Sequence, residues 1–210
     1  MVSLDLDFVR AQFPVFSHPE SANWAHLENA GGSYVPGQVI SLLQDFFITS
    51  KVQPYWDFGP SAKAGEAMDR SLELIPSTFN ADRDEVHFGP STSQNTYVLA
   101  QALRPSWDIG DEIIVTNQDH EANIGAWRRL EMTGINVIEW GVGPETGLLD
   151  ISEVRNLIND RTRLLAVTHA SNLAATINPI SELAELIHDV GGILVTDGVS
   201  YAPHAAIDVK

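Results

Sequence analysis

Residues 163–204 read RLLAVTHASNLAATINPISELAELIHDVGGILVTDGVSYAPH. The segment RLLAVTH is an apolar strand that passes into a polar loop. NPISELAELIHDVGG has the period of a helix and stops on a glycine pair. ILVTD is a second apolar strand and ends on an acid, Asp197. Strand, helix, strand with apolar strand cores is the pattern of a parallel sheet covered by helices. Ligands of such sheets bind beyond the carboxyl ends of the strands. Thr168, His169, Asn172, Asp197, Ser200 and His204 all fall at or just after those ends, so function is sought there first.

Working outward, the spacing predicts strands near residues 86, 112, 137, 165 and 194, alternating with helices, which makes the chain α/β. EVHFGPSTSQNTYVLAQAL (85–103) predicts a short strand, a Gly-Pro break, the small-polar run Ser91-Thr92-Ser93, and a helix. Helix starts carry orphan N–H groups and the positive dipole end. The run is therefore a phosphate seat or a plain N-cap, and both can hold together. GDEIIVT (110–116) is a strand, NQDHEANIGAWRRLEMTG a loop and a helix ending near Gly134, INVIEW (135–140) a strand, and 150–158 a helix.

Toward the N-terminus, residues 5–13 suit a short amphipathic helix stopped by Pro14, and 24–36 an extended piece entering a loop. A helix follows from near Pro36 to Thr49. KVQPYWDFGPS (51–61) is an aromatic-rich loop, either tied down by Tyr55, Trp56 and Phe58 or serving as a contact loop. The next helix spans 61–79, with Pro76 expected to disturb its last turn.

Composition narrows the function. The 210 residues carry 28 acids against 12 bases, a formal charge of -16. That argues against nucleic-acid and anionic-membrane partners, which need basic patches, but leaves room for a small anionic ligand. With no cysteine, disulfides, thiolate metal sites and a cysteine nucleophile within the chain are excluded. No apolar run approaches a membrane span, and MVSLDLDFVR lacks a secretory pattern, so a soluble, cytoplasmic protein is expected. His120, His169 and His204 lie far apart and outside any metal-binding motif, so no metal is expected. Dinucleotide, P-loop and G-x-S-x-G fingerprints are absent.

Three residues keep two readings each. Asp197 is a helix cap or structural hydrogen-bond acceptor, or a carboxylate paired with a ligand cation or protonated ring nitrogen. His120 is a ligand contact or base, or a helix cap. Asn172 is a loop residue, or a donor and acceptor toward a ligand.

The segments FPVF, HLENAGGSYVP, EVHFGPSTSQNTYVLAQAL, GDEIIVTNQDHEANIGAW, PETGLLD, RTRLLAVTHASNLAATINPI and TDGVSYAPHAAIDV cover nearly the whole chain. In this order they resemble fold-type I pyridoxal-phosphate enzymes, most closely the class V aminotransferase group that includes cysteine desulfurases. The resemblance implies a three-layer α/β sandwich with a mostly parallel sheet, the large domain of that fold, truncated before the C-terminal small domain. It divides the chain into residues 1–59, N-terminal helices and substrate-facing loops, and 60–210, an incomplete cofactor-binding large domain. It implies pyridoxal 5'-phosphate as cofactor, a small amino acid as substrate, transferase or lyase chemistry, and a homodimer in the full-length form.

By position, the resemblance puts Ser91 and Thr92 at the phosphate and His120 on the pyridine ring. It brings Asn172 and Ser200 near the ring hydroxyl, Asp197 to the protonated ring nitrogen, and Asn29 into the loop facing the substrate. His204 matches a family A-P-H segment as a structural residue. Ser91-Thr92-Ser93 stands where close relatives of the desulfurases show Gly-Thr-Thr, Gln94 takes a neighbouring acidic position, and Ser200 is shorter than the usual Gln or His. These changes resemble the divergent desulfurase-like branch better than the iron-sulfur assembly enzymes. Family members hold the cofactor on a lysine shortly beyond the stretch matching DVK, and Lys51, Lys63 and Lys210 do not match it. The chain is thus expected to be the front half of such an enzyme; the alternative is a catalytically inactive fragment or split-enzyme subunit that binds a partner.

Overall fold

The computed structural model describes residues 4–210, and the first three residues of the MVSLDLDFVR stretch lie outside them. The chain divides into two compact units, one covering the described residues up to Val86 together with Lys210, the other His87–Val209.

In the first unit, α1 (Leu6–Ala11) starts where the Asp5 carboxylate accepts the Phe8 N–H at 2.9 Å. After a 3₁₀ turn at Pro14–Ser17 and an irregular stretch come α2 (Gly37–Thr49) and α3 (Gly59–Phe79). α3 runs unbroken across Pro76, contrary to the expected disturbance. The proline removes one N–H near the end of the helix, and the turn is closed by the Ala81 N–H donating to the Pro76 carbonyl at 2.9 Å. Asn80, at φ 54°, then ends the helix in the left-handed region that asparagine tolerates.

The aromatic loop is anchored through Tyr55 and Ser61. The Tyr55 ring lies so close to Gly65 that a Cβ there would come within 2.7 Å of it. The Tyr55 hydroxyl donates to Asp69 at 3.1 Å, and the buried Ser61 hydroxyl joins the Gln53 carbonyl to the Trp56 N–H. Trp56 and Phe58 remain exposed.

The strand expected near residue 86 does not form. Val86 is extended, with φ -114° and ψ 129°, but residues 86–90 pair with no strand among the described residues. An extended run becomes a strand only when a neighbouring ladder takes its N–H and C=O groups.

The second unit carries the sheet. β1 (Glu112–Thr116), β2 (Asn136–Trp140), β3 (Thr162–Thr168) and β4 (Ile193–Asp197) pair in the order β2-β1-β3-β4, every neighbour parallel. Its helices are α4 (Thr92–Leu103), α5 (Glu121–Arg128), α6 (Ile151–Leu157) and α7 (Ile180–His188). α5 tightens into a 3₁₀ turn through Thr133, and Gly134 at φ 89° stops it.

Strand side chains alternate between two cores. Ile113, Val115, Leu164 and Ala166 pack with Ala100 of α4 and Ile124 and Trp127 of α5. Ile114, Leu165 and Val167 pack with Val154 of α6 and Leu183 and Ile187 of α7. β1 and β3 are therefore buried on both faces, as their continuous apolar runs require. The result is the three-layer α/β sandwich with a parallel sheet. Each fully buried large side chain contributes about 1.5–3 kcal/mol relative to exposure. Among the described residues no helix is long and apolar enough to cross a membrane.

Candidate active site

The strand order fixes where a site can form. From β1 the chain crosses to β2 on one side; from β3 it crosses to β4 on the other. The loops leaving the carboxyl ends of β1 and β3 part from each other, and that crevice is where open α/β sheets bind ligands.

One wall is built by two helix starts. Ser91 is the N-cap of α4, its hydroxyl accepting the Gln94 N–H at 3.2 Å. His120 is the N-cap of α5, its Nδ1 accepting the Ala122 N–H at 3.0 Å. Between α4 and α5 lies a cavity of about 560 Å³, lined by Ser91, Ser93, Gln94 and His120 near the helix starts and by Tyr97 and Arg129 farther along. Both helix starts, each carrying the positive end of its dipole, thus border one volume.

A second cluster sits at the ends of β3 and β4. The last residue of β4 is the half-buried Asp197, whose Oδ1 accepts the Val199 N–H at 2.9 Å and whose carbonyl accepts the His169 N–H at 2.8 Å. The His169 ring stacks on Tyr201, centroids 3.5 Å apart and planes 14° from parallel. Burial holds the His169 imidazole below the usual histidine range. Neither Asp197 nor Asp119 forms an ion pair with a lysine, arginine or histidine among the described residues.

Between the two clusters, the loop after β1 is sewn to β3. Asn178, almost fully buried, donates its Nδ2 to the Gln118 side-chain oxygen and to the Thr168 carbonyl, each at 2.8 Å. Asp119 accepts from the Thr116 hydroxyl and from Asn123 Nδ2. Burial pushes its carboxyl above the usual range, and the charge of nearby Asp197 adds to that.

The structure therefore brings Ser91 and His120 to one cavity. Thr92 opens α4 beside them without lining it, and Asn172, Asp197 and Ser200 stand outside it at the ends of β3 and β4. His204 is exposed in the turn after β4. Sequence reasoning missed Asp119, Asn178 and Tyr201. Asp119 carried a usable signal, an acid just past an apolar strand, as at Asp197; the Asn178-Pro179 pair marked a helix entry; Tyr201 carried none. Among the described residues no group of three or more His, Cys, Asp or Glu could hold a metal ion.

Comparison with known proteins places the fold and the order of these segments in a wider set. The family model described as aminotransferase class-V matches residues 25–210. The aminotransferase-like protein FGM3 of Gibberella zeae is 36% identical over 215 residues, covering 99% of this chain and 52% of that protein. A cysteine desulfurase of Haloferax volcanii is 29% identical over 231 residues, covering 99% and 53%. The crystal structure of the cysteine desulfurase CsdA from Escherichia coli superposes with a TM-score of 0.84 at 26% identity, covering 99% of this chain and 52% of that one. The chain spans about half the length of the curated relatives it matches.

Proposed function

Since the chain belongs to the class-V aminotransferase family, we propose that it is the cofactor-binding part of a pyridoxal 5'-phosphate enzyme of the cysteine desulfurase-like kind, acting on a small amino acid. One observation carries this reading. A serine-capped helix start, a histidine on a cavity wall and an acid without a basic partner all belong to the carboxyl-end side of one parallel sheet.

The residues present suit the cofactor. The hydroxyls of Ser91 and Thr92 and the first-turn N–H groups of α4 would hold the phosphate. His120 would stack on the pyridine ring, and Asn172 and Ser200 would approach the ring hydroxyl. Asp197 would keep the ring nitrogen protonated, because an adjacent carboxylate favours the charged form. Bound there, the cofactor supplies an electron sink for the bond that breaks at the amino acid. In this reading residues 60–210 are the cofactor-binding large domain, residues 1–59 supply helices and substrate-facing loops that include Asn29, and two copies associate.

One observation favours a second reading. All three lysines, Lys51, Lys63 and Lys210, belong to the unit without the sheet, and Lys210 is engaged with Asp82 and Glu85. A cofactor-binding piece without a lysine of its own, completed by another segment or chain, would bind the cofactor and not turn over.

Titration of the purified protein with pyridoxal 5'-phosphate, followed by absorbance and equilibrium dialysis, tests both. Saturable binding at one per chain is expected, and His120→Ala should weaken it about tenfold, the size of one lost favourable contact. In the enzyme that contains this chain, label fixed by borohydride on a lysine other than Lys51, Lys63 and Lys210 supports the first reading, and label that dialyses away after reduction supports the second. Absence of saturable binding rejects both.

A further inference from the structure

One residue before His120 lies a carboxylate that the proposed function does not use. Asp119 is in the loop between β1 and α5, and its two oxygens accept from two elements. The hydroxyl of Thr116, last residue of β1, donates to Oδ2, and Asn123 Nδ2, in the first turn of α5, donates to Oδ1 at 2.6 Å. Thr116 is fully buried and Asn123 nearly so. The Thr116 oxygen also accepts the Gln118 N–H at 3.1 Å, so one hydroxyl grips the loop twice.

Charge-assisted hydrogen bonds are short and directional. Holding an anion there is unfavourable by itself, since burial and Asp197 both push against its charge. A mere surface loop needs no such arrangement. What the carboxylate fixes is the peptide that enters His120, and through it the cap geometry in which Nδ1 of His120 takes the Ala122 N–H and the ring borders the cavity.

Resting on the cofactor reading above, we infer that Asp119 is a positioning residue: by tying the β1–α5 loop to the end of β1 and to the first turn of α5, it sets the orientation in which His120 meets the ring of a bound cofactor. An acid is suited to this because one group must accept from two donors at once. Asparagine keeps the size and one acceptor oxygen, so it should hold the loop partly; alanine should release it.

The test compares Asp119→Ala, Asp119→Asn and Thr116→Val in the full protein. Two readouts are taken: affinity and induced circular dichroism of pyridoxal 5'-phosphate, and, without cofactor, the imidazole NMR signals of His120. Asp119→Ala should weaken cofactor retention about tenfold, as expected for lost hydrogen bonds to a charged group, and should change the induced dichroism. Asp119→Asn should stay within about threefold. The His120 signals should move in Asp119→Ala and return most of the way in Asp119→Asn. Should Asp119→Ala fail to fold, Thr116→Val removes one donor and keeps the carboxylate; a smaller change in the same direction supports the role, and no change overturns it. Unaltered His120 signals in Asp119→Ala overturn positioning, as do equal losses in Asn and Ala. If the wild-type protein binds no cofactor, the cofactor reading fails, while the His120 signals still decide whether Asp119 positions that ring.

Discussion

At the amino end of the sheet, Asp111 and Glu112 are buried beside arginines; at the carboxyl end, Asp119 and Asp197 stand without a basic partner among the described residues. Arg163 Nε reaches Asp111 at 2.9 Å, and Arg161 reaches Glu112 at the same distance, with Asn159 Nδ2 on its other oxygen at 2.7 Å. The Arg163 guanidinium holds the Asp111 carboxyl below its ordinary range, whereas burial holds Asp119 above it. Charges that serve the fold are neutralised in place by the chain's own cations. The charge of Asp119 is held by hydrogen bonds alone while burial and Asp197 oppose it, and such imbalance is typical of functional ends. The same sheet thus carries a finished electrostatic arrangement at one end and an open one at the other.

The sharpest way to break that comparison is at Asp197. On the cofactor reading, Asp197→Ala should lower turnover by about 10³-fold, the scale seen when an electrostatic stabiliser of a reacting group is removed. Its melting temperature should stay near that of the parent, because Asp197 is only half-buried and its side chain caps one turn. A steady-state assay beside a thermal melt measures both. Turnover within about threefold of the parent would end the assignment of Asp197 to the cofactor.

The converse experiment is at Arg163. Arg163→Ala leaves the Asp111 carboxylate, 7% exposed, without its cation. Removing one partner of a fully buried pair costs about 3–5 kcal/mol. Arg163 is itself one-third exposed and the Asp108 N–H still donates to Asp111, so about 2 kcal/mol is expected here. The urea midpoint should fall accordingly and cofactor affinity should not change. A loss of affinity without a loss of stability would mean that the two ends are not separate in function.

Much of this layout is legible before any coordinates. The apolar runs of β1 and β3, short and bounded by turn residues, suit two-sided buried strands, and the helical period of 180–188 between β3 and β4 makes a parallel crossover the simple solution. Acid at the end of β4 is then placed at the ligand end by topology alone. What stays hidden depends on partners distant in sequence. Val86 has strand-like residues around it and no ladder to join, and pairing is not a local property. The stack of His169 on Tyr201 arises because β3 and β4 end in register, Thr168 opposite Asp197, which neither segment announces by itself. The load on Asp119 is invisible for the same reason, since its two side-chain donors come from β1 and α5.

The smallest expected effect separates the two ends by sign. Asp111 has a depressed carboxyl value in the fold. Its contribution to stability is therefore present above the unfolded value, about 3.9, and is lost as pH falls through the lower folded value. Asp119 is raised. Its contribution is fully present below about 3.9, where the group is protonated in both states, and is lost as pH rises through the higher folded value. Thermal melts from pH 3 to 7, on the order of half a unit apart, should then show opposite trends in the two conservative variants. The deficit of Asp111→Asn relative to the parent should grow with rising pH, since the parent gains the ionised pair with Arg163. Any deficit of Asp119→Asn should shrink with rising pH, since the parent alone must ionise a half-buried acid near Asp197. Because Asp119 keeps its hydrogen bonds when ionised, this second trend should be shallower than the first. Parallel trends in the two variants would mean that the carboxyl-end acid is compensated as fully as the one at the amino end, and the distinction between a finished and an open end would fall.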